Sequence, residues 1–127
     1  MVMITGGAYQ GKTAYAMDYL GVLCDDIADG RNCDTESVKK ARCISNYHEL
    51  VRRLGDDSIS FTKELCSCNP DAVIIIDEIG CGIIPMEKAD RVWRENVGRC
   101  GCIIAANSQK VIRMICGIPT LLKGENE

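Results

Sequence analysis

Apolar residues fall along this chain in two kinds of pattern, unbroken runs and stripes at helical spacing. The run MVMIT (1–5) predicts a short buried strand. Over 12–23, Ala16, Met17, Leu20 and Leu23 recur at steps of three and four and predict a helix. The stretch CDDIADGRNCDTESVKK (24–40) is polar and charged and predicts a loop, with a helical turn after Asp34. ARCIS (41–45) predicts a short strand. Asn46 is placed to cap a helix over 47–54, where Tyr47, Leu50, Val51 and Leu54 follow the helical period. Gly55, Asp56 and Asp57 end it. FTKELC (61–66) predicts a further short helix, stopped before Asn69-Pro70.

The run AVIII (72–76) is apolar throughout and β-branched after its first residue. A central parallel strand buried on both faces reads this way. The longest helical pattern covers 87–106, with Ala89, Val92 or Trp93, Val97, Cys100, Ile103 and Ile104 on one side. VIRMIC (111–116) predicts a last strand, and GIPTLLKG (117–124) a tail. Strands alternating with helices predict an α/β fold with a mostly parallel sheet. No repeat or linker interrupts the pattern, and 127 residues suit one domain over 1–127.

Composition narrows the function. Hydrophobic residues make up 46% and charged residues 26%, ordinary for a soluble globular chain. A net charge of -3 argues against a nucleic-acid footprint or a polybasic membrane patch. No apolar run is long enough to cross a bilayer, and the MVMITGG start lacks the features of a secretory leader. The nine cysteines are odd in number. Cys66-Ser-Cys68 and Cys100-Gly-Cys102 have C-x-C spacing, not the C-x-x-C of zinc sites. Cys24, Cys43, Cys81 and Cys116 sit among apolar residues and read as reduced core thiols of a cytosolic protein.

The chemistry concentrates in ITGGAYQGKT (4–13). Gly6, followed by Gly11-Lys12-Thr13 after four residues, fits the phosphate-binding pattern G-x-x-x-x-G-K-[ST] in full. Glycines let backbone N–H groups turn toward phosphate oxygens, and the following helix points its positive end at the same anion. Gly6, Gly7, Ala8, Tyr9, Gln10, Gly11, Lys12 and Thr13 are therefore candidate ATP- or GTP-binding residues. In such a site Lys12 reaches the β- and γ-phosphates, and the Thr13 hydroxyl serves Mg²⁺. Asp77-Glu78 follows the buried AVIII run directly. Asp77 is the candidate second Mg²⁺ ligand, and Glu78 the candidate base or orienting group, which makes Lys12, Asp77 and Glu78 the candidate catalytic set.

Arg91, Arg94 and Arg99 lie on the long helical pattern, which more readily makes them a solvated face than nucleotide contacts. The single histidine, His48, stands near a helix start with no supporting constellation and reads as a surface residue.

Four segments resemble one family. ITGGAYQGKT is similar to the VTGGARSGKS opening of the adenosylcobinamide kinase / adenosylcobinamide-phosphate guanylyltransferase family of cobalamin biosynthesis. Glu78-Ile79-Gly80-Cys81-Gly82-Ile83-Ile84-Pro85 resembles its NEVGxGIVP segment. WRENVGR (93–99) is similar to its FRDxxGR, and MICGIPTLLKG (114–124) to its closing xxxGIPxxLK. The resemblance implies a P-loop α/β fold and γ-phosphoryl transfer from ATP or GTP to the aminopropanol hydroxyl of a corrinoid. It implies a site shaped by Glu78, Gly80, Gly82 and Pro85 next to the triphosphate, a homo-oligomer, and a second step through a guanylylated histidine.

Two stretches are reduced against the family, one between the first helix and ARCIS and one before AVIII. Residues 24–40, where the family carries that histidine, contain none here, and His48 lies in the following helix. Guanylyl transfer is thus left without a nucleophile. Asp77 stands where the family usually has Asn. Two other classes remain open on the same residues: a nucleotide-binding relative without catalysis, and a P-loop kinase or NTPase with a different small acceptor.

Overall fold

The computed structural model describes residues 1–79 and 87–124. Its elements are β1 (Val2–Gly6), α1 (Lys12–Tyr19), β2 (Ile27–Asp29), α2 (Thr35–Lys40), β3 (Cys43–Ser45), α3 (Tyr47–Leu54), α4 (Ser58–Cys68), β4 (Val73–Asp77), α5 (Lys88–Asn107), β5 (Lys110–Ile115) and β6 (Ile118–Lys123). The strands form one sheet in the order β2-β3-β4-β1-β5-β6. Every pairing is parallel except β5 with β6.

The strand pattern explains the core. Met3, Ile74 and Ile76 point to one face and join Leu50 and Val51 of α3, Leu65 of α4, and Cys100 and Ile104 of α5. Ile4, Val73 and Ile75 point to the other face, where Ala16 of α1 covers them. The AVIII run lacks polar alternation because both faces of β4 are covered. Its neighbour β1 stands in register with it, Gly6 opposite Asp77 at the carboxyl ends of both strands.

Several elements differ from the sequence expectation. α1 stops at Tyr19, and Met17 and Leu23 are exposed, because α1 lies over its face of the sheet mainly through Ala16. The polar stretch 24–40 holds an edge strand, β2, too short to show a period. The expected turn after Asp34 is α2, where Asp34 accepts a hydrogen bond from the Ser37 N–H at 2.7 Å. Asn46 occupies the N-cap position of α3 in a left-handed conformation, but its side chain makes no cap bond and donates instead to Asp29.

The expected tail is strand β6, folded back on β5 through Cys116 and Gly117. Both have positive φ, as a tight hairpin turn requires. Of the cysteines read as buried, Cys43 is buried while Cys24 and Cys116 are exposed; Cys81 lies outside the described residues. Among the described residues no helix is long and apolar enough to cross a membrane. No group of three or more His, Cys, Asp or Glu there could hold a metal ion.

Candidate functional site

β1 ends at Gly6, and residues 7–11 turn over the carboxyl end of the sheet into α1. Gly6 has φ of 145°, and a Cβ there would collide with the backbone oxygen of Met114 on the neighbouring strand β5. Only glycine leaves β1 this way. The Glu78 N–H donates to the Gly6 carbonyl at 2.8 Å and ties β4 to the loop. On the other side, the β5–β6 turn braces it: the Gly117 N–H donates to the Gln10 carbonyl at 3.2 Å, and the Cys116 N–H to Gln10 Oε1. The segment expected to be a tail is a support of the glycine loop.

Lys12 starts α1 and is only 6% exposed. Its Nζ donates to the Gly7 carbonyl at 2.5 Å and lies 2.7 Å from Asp77 Oδ1. The loop surrounds a cavity of about 380 Å³ lined by residues 8–14 together with Arg31, Asn46, Ile75 and Asp77. Backbone N–H groups, one lysine and the start of a helix around such a volume suit a polyphosphate. The Thr13 hydroxyl and the Asp77 carboxylate are hard oxygen donors on the same cavity. That donor chemistry fits Mg²⁺, which takes few protein ligands and shares the rest with phosphates and water.

His48 is buried rather than on the surface. The left-handed turn at Asn46 aims the first turn of α3 at the end of β4. The His48 Nδ1 accepts the Asp77 N–H at 3.1 Å, and its Nε2 lies 3.4 Å from Asp77 Oδ2 and 3.9 Å from Glu49 Oε1. With Nδ1 accepting, the proton of the neutral ring sits on Nε2, facing the carboxylates. Trp93 on α5 seals this turn by donating its indole N–H to the His48 carbonyl at 2.7 Å. Nothing in YHELVRRL signals this placement, because it depends on β3 and β4 being neighbours.

Burial is the main cause that lowers the His48 pKa from its ordinary 6.5; Lys12 and Arg52 act with it, Asp77 and Glu49 against it. Just below pH 6.5 the unfolded chain therefore binds more protons than the folded one. The His48 contribution to stability is complete at neutral pH and declines as pH falls through 6.5 toward the lower folded value. Urea midpoints are expected to drop more steeply over that window in the unmodified protein than in His48→Gln. Equal slopes would remove His48 as the cause.

Glu78 is held by Arg113 of β5, whose Nε and Nη2 donate to its two oxygens at 2.8 and 3.1 Å. Nothing local in VIRMIC marks Arg113, since its role depends on β4 and β5 flanking β1. Toward α5 lies a second cavity of about 360 Å³, lined among others by Thr5, Asp77, Glu78, Arg94, Gly98 and Gly101. Of the three helix arginines, Arg94 lines this cleft, Arg99 pairs outward with Glu95 at 2.6 Å, and Arg91 is exposed. Asp77 borders both cavities. Gly80, Gly82 and Pro85, expected beside the site, lie outside the described residues.

Comparison with known proteins bears on this arrangement. The family described as cobinamide kinase / cobinamide phosphate guanyltransferase matches residues 37–122, more than half of the chain. The chain belongs to this family. A similar protein is the bifunctional adenosylcobalamin biosynthesis protein CobU of Salmonella typhimurium, 22% identical over 180 residues that cover 97% of this chain and 99% of that protein. A match of 180 positions against 127 residues means that this chain is shortened internally relative to CobU. As a member of the cobinamide kinase/guanyltransferase family, the chain is placed among the nucleotide-using transferases of cobalamin biosynthesis, with a P-loop fold and a mostly parallel sheet. The family match begins at residue 37, beyond the glycine loop.

Proposed function

We propose that this chain is a kinase that transfers the γ-phosphoryl group of ATP or GTP to the aminopropanol hydroxyl of adenosylcobinamide. The observation that carries this reading is the meeting of two cavities at Asp77, one under the glycine loop and one beside Glu78. The triphosphate lies in the first, held by the loop amides and Lys12. The hydroxyl-bearing arm of the acceptor enters the second.

The hydroxyl oxygen forms a bond to the γ-phosphorus while the bond from that phosphorus to the β-bridging oxygen breaks. The nucleoside diphosphate leaves with the electron pair. Glu78, fixed by Arg113, still has accepting lone pairs and takes up the hydroxyl proton. Lys12 draws charge toward the phosphates and places the transferring group in line. Thr13 and Asp77 would hold Mg²⁺, directly or through water, and the ion would neutralise phosphate charge.

The kinase step stands alone in this reading. His48 is the single histidine, and both of its nitrogens are directed at Asp77 in a buried position. A nucleophile for GMP must instead be open to the α-phosphate.

The test is incubation with adenosylcobinamide and γ-labelled ATP or GTP, alongside α-labelled GTP. Label is expected in the corrinoid from the γ-position, with no GMP adduct on the protein. Absence of a phosphorylated corrinoid with either nucleotide would sink the reading, and binding without turnover would favour a non-catalytic relative.

A further inference from the structure

We propose that Arg31 is a phosphate-contacting residue of the loop cavity, a guanidinium that grips the outer phosphates of the nucleoside triphosphate and stabilises the charge that shifts during transfer. The inference rests on the transferase reading above and adds a residue that the glycine-loop motif does not contain.

Arg31 follows β2 in the stretch Asp29-Gly30-Arg31. Because β2, β3, β4 and β1 run parallel, its carboxyl end lies on the same edge of the sheet as the glycine loop. Arg31 lines the loop cavity together with Tyr9, Lys12, Thr13 and Asp77. Among the described residues that line it, Lys12 and Arg31 are the cations, each paired with a carboxylate, Asp77 and Asp29. A triphosphate brings several negative charges, so a second cation at the open side meets an electrostatic need that Lys12 alone leaves.

The guanidinium is set in place. Its Nη2 donates to Asp29 Oδ2 at 2.7 Å and its Nε to Oδ2 and Oδ1 at 3.0 and 3.2 Å, while the Arg31 N–H donates to Oδ1 at 3.0 Å. Asp29 is steadied in turn by the Asn46 side chain, which donates at 3.1 Å. Hydrogen bonds from Arg31 are the main cause that lowers the Asp29 carboxyl to about 2, so the carboxylate stays ionised across the working range. Nη1 makes no hydrogen bond to the described residues, and it belongs to a planar fork of the kind that suits phosphate oxygens.

The loop beneath is built for this position. The Gly30 N–H donates to the Ser45 carbonyl at 2.7 Å, and a Cβ at Gly30 would collide with the Asn46 carbonyl. Arg53 of α3 donates to the carbonyls of Gly30 and Cys33, each at 2.8 Å. The two-thirds exposure of Arg31 matches a residue at a cavity mouth, ready to meet an entering anion.

The experiment titrates the full chain, with Mg²⁺, with a non-hydrolysable triphosphate analogue and with the matching nucleoside monophosphate. It compares the unmodified protein, Arg31→Ala and Arg31→Lys. Arg31→Ala is expected to weaken triphosphate binding at least about tenfold and leave the monophosphate within about twofold. Arg31→Lys is expected to recover only part of the loss, since it restores charge without the fork. Unchanged triphosphate affinity in Arg31→Ala would overturn the proposal and reduce Arg31 to a partner of Asp29. Should Arg31→Ala fail to fold, Arg31→Lys decides: triphosphate affinity equal to that of the unmodified protein overturns the proposal, and a selective loss supports it. A protein that shows this Arg31 dependence but phosphorylates no cobinamide overturns the acceptor assignment and leaves Arg31 standing. One that binds no triphosphate overturns both.

Discussion

Lys12→Ala is expected to reduce phosphoryl transfer to cobinamide by about 10²–10³-fold, the scale for removing one preorganised group that stabilises transition-state charge. Lys12 is the cation nearest the loop amides, fixed between the Gly7 carbonyl and Asp77 rather than free in solvent. A group held in that way reorganises little as charge moves, which is why its loss falls on turnover. The check is steady-state transfer from γ-labelled nucleotide, with far-UV circular dichroism to establish that the variant is folded. Turnover within a few-fold of the unmodified protein would remove Lys12 from the mechanism and favour a non-catalytic nucleotide-binding role.

The second large effect is expected at Asp77. Asp77→Asn keeps the side-chain shape but removes the charge opposite a lysine that is 6% exposed. It also disturbs the contact with His48 Nε2. Breaking a buried pair on one side leaves an uncompensated charge. Asp77 is about a fifth exposed, so the expected cost is about 2–3 kcal/mol, toward the low side for such pairs. Transfer is expected to fall at the same time, since Asp77 borders both cavities and is the candidate Mg²⁺ ligand.

Urea unfolding and turnover, measured in Asp77→Asn, Lys12→Met and the double variant, separate the two effects. The double variant is expected to regain most of the lost stability, because neither buried charge is then left unpaired, and to regain no activity. Strictly additive stability losses would show that Lys12 and Asp77 do not depend on one another.

The glycine loop, the buried strand before Asp77 and the helices of 47–54 and 88–107 are legible in the sequence because their signals are local. Three residues near the site were not, nor was the contact that braces a fourth, Gln10. β2 is three residues long within a polar stretch, so nothing local marks Arg31 as lining the loop cavity. His48 looks like a surface residue until α3 is packed against the end of β4. Arg113 gains its meaning from the strand order that brings it to Glu78, and Gln10 from a hairpin more than a hundred residues further on.

Legible in the residues alone, then, are a glycine loop that fits a phosphate-binding pattern, the acidic pair that follows AVIII, the alternation that makes an α/β sheet, and a family resemblance that comparison with known proteins bears out. Those properties depend on spacing within a few residues, where backbone geometry and side-chain period act directly. The tertiary structure alone decided that His48 is buried against Asp77, that Arg113 holds Glu78, that the C-terminal hairpin braces the loop, and that Arg31 shares the cavity of Lys12. Each of these joins residues more than twelve positions apart. Their contact follows from strand order and helix packing, which the burial of the whole core selects and no short window of residues contains.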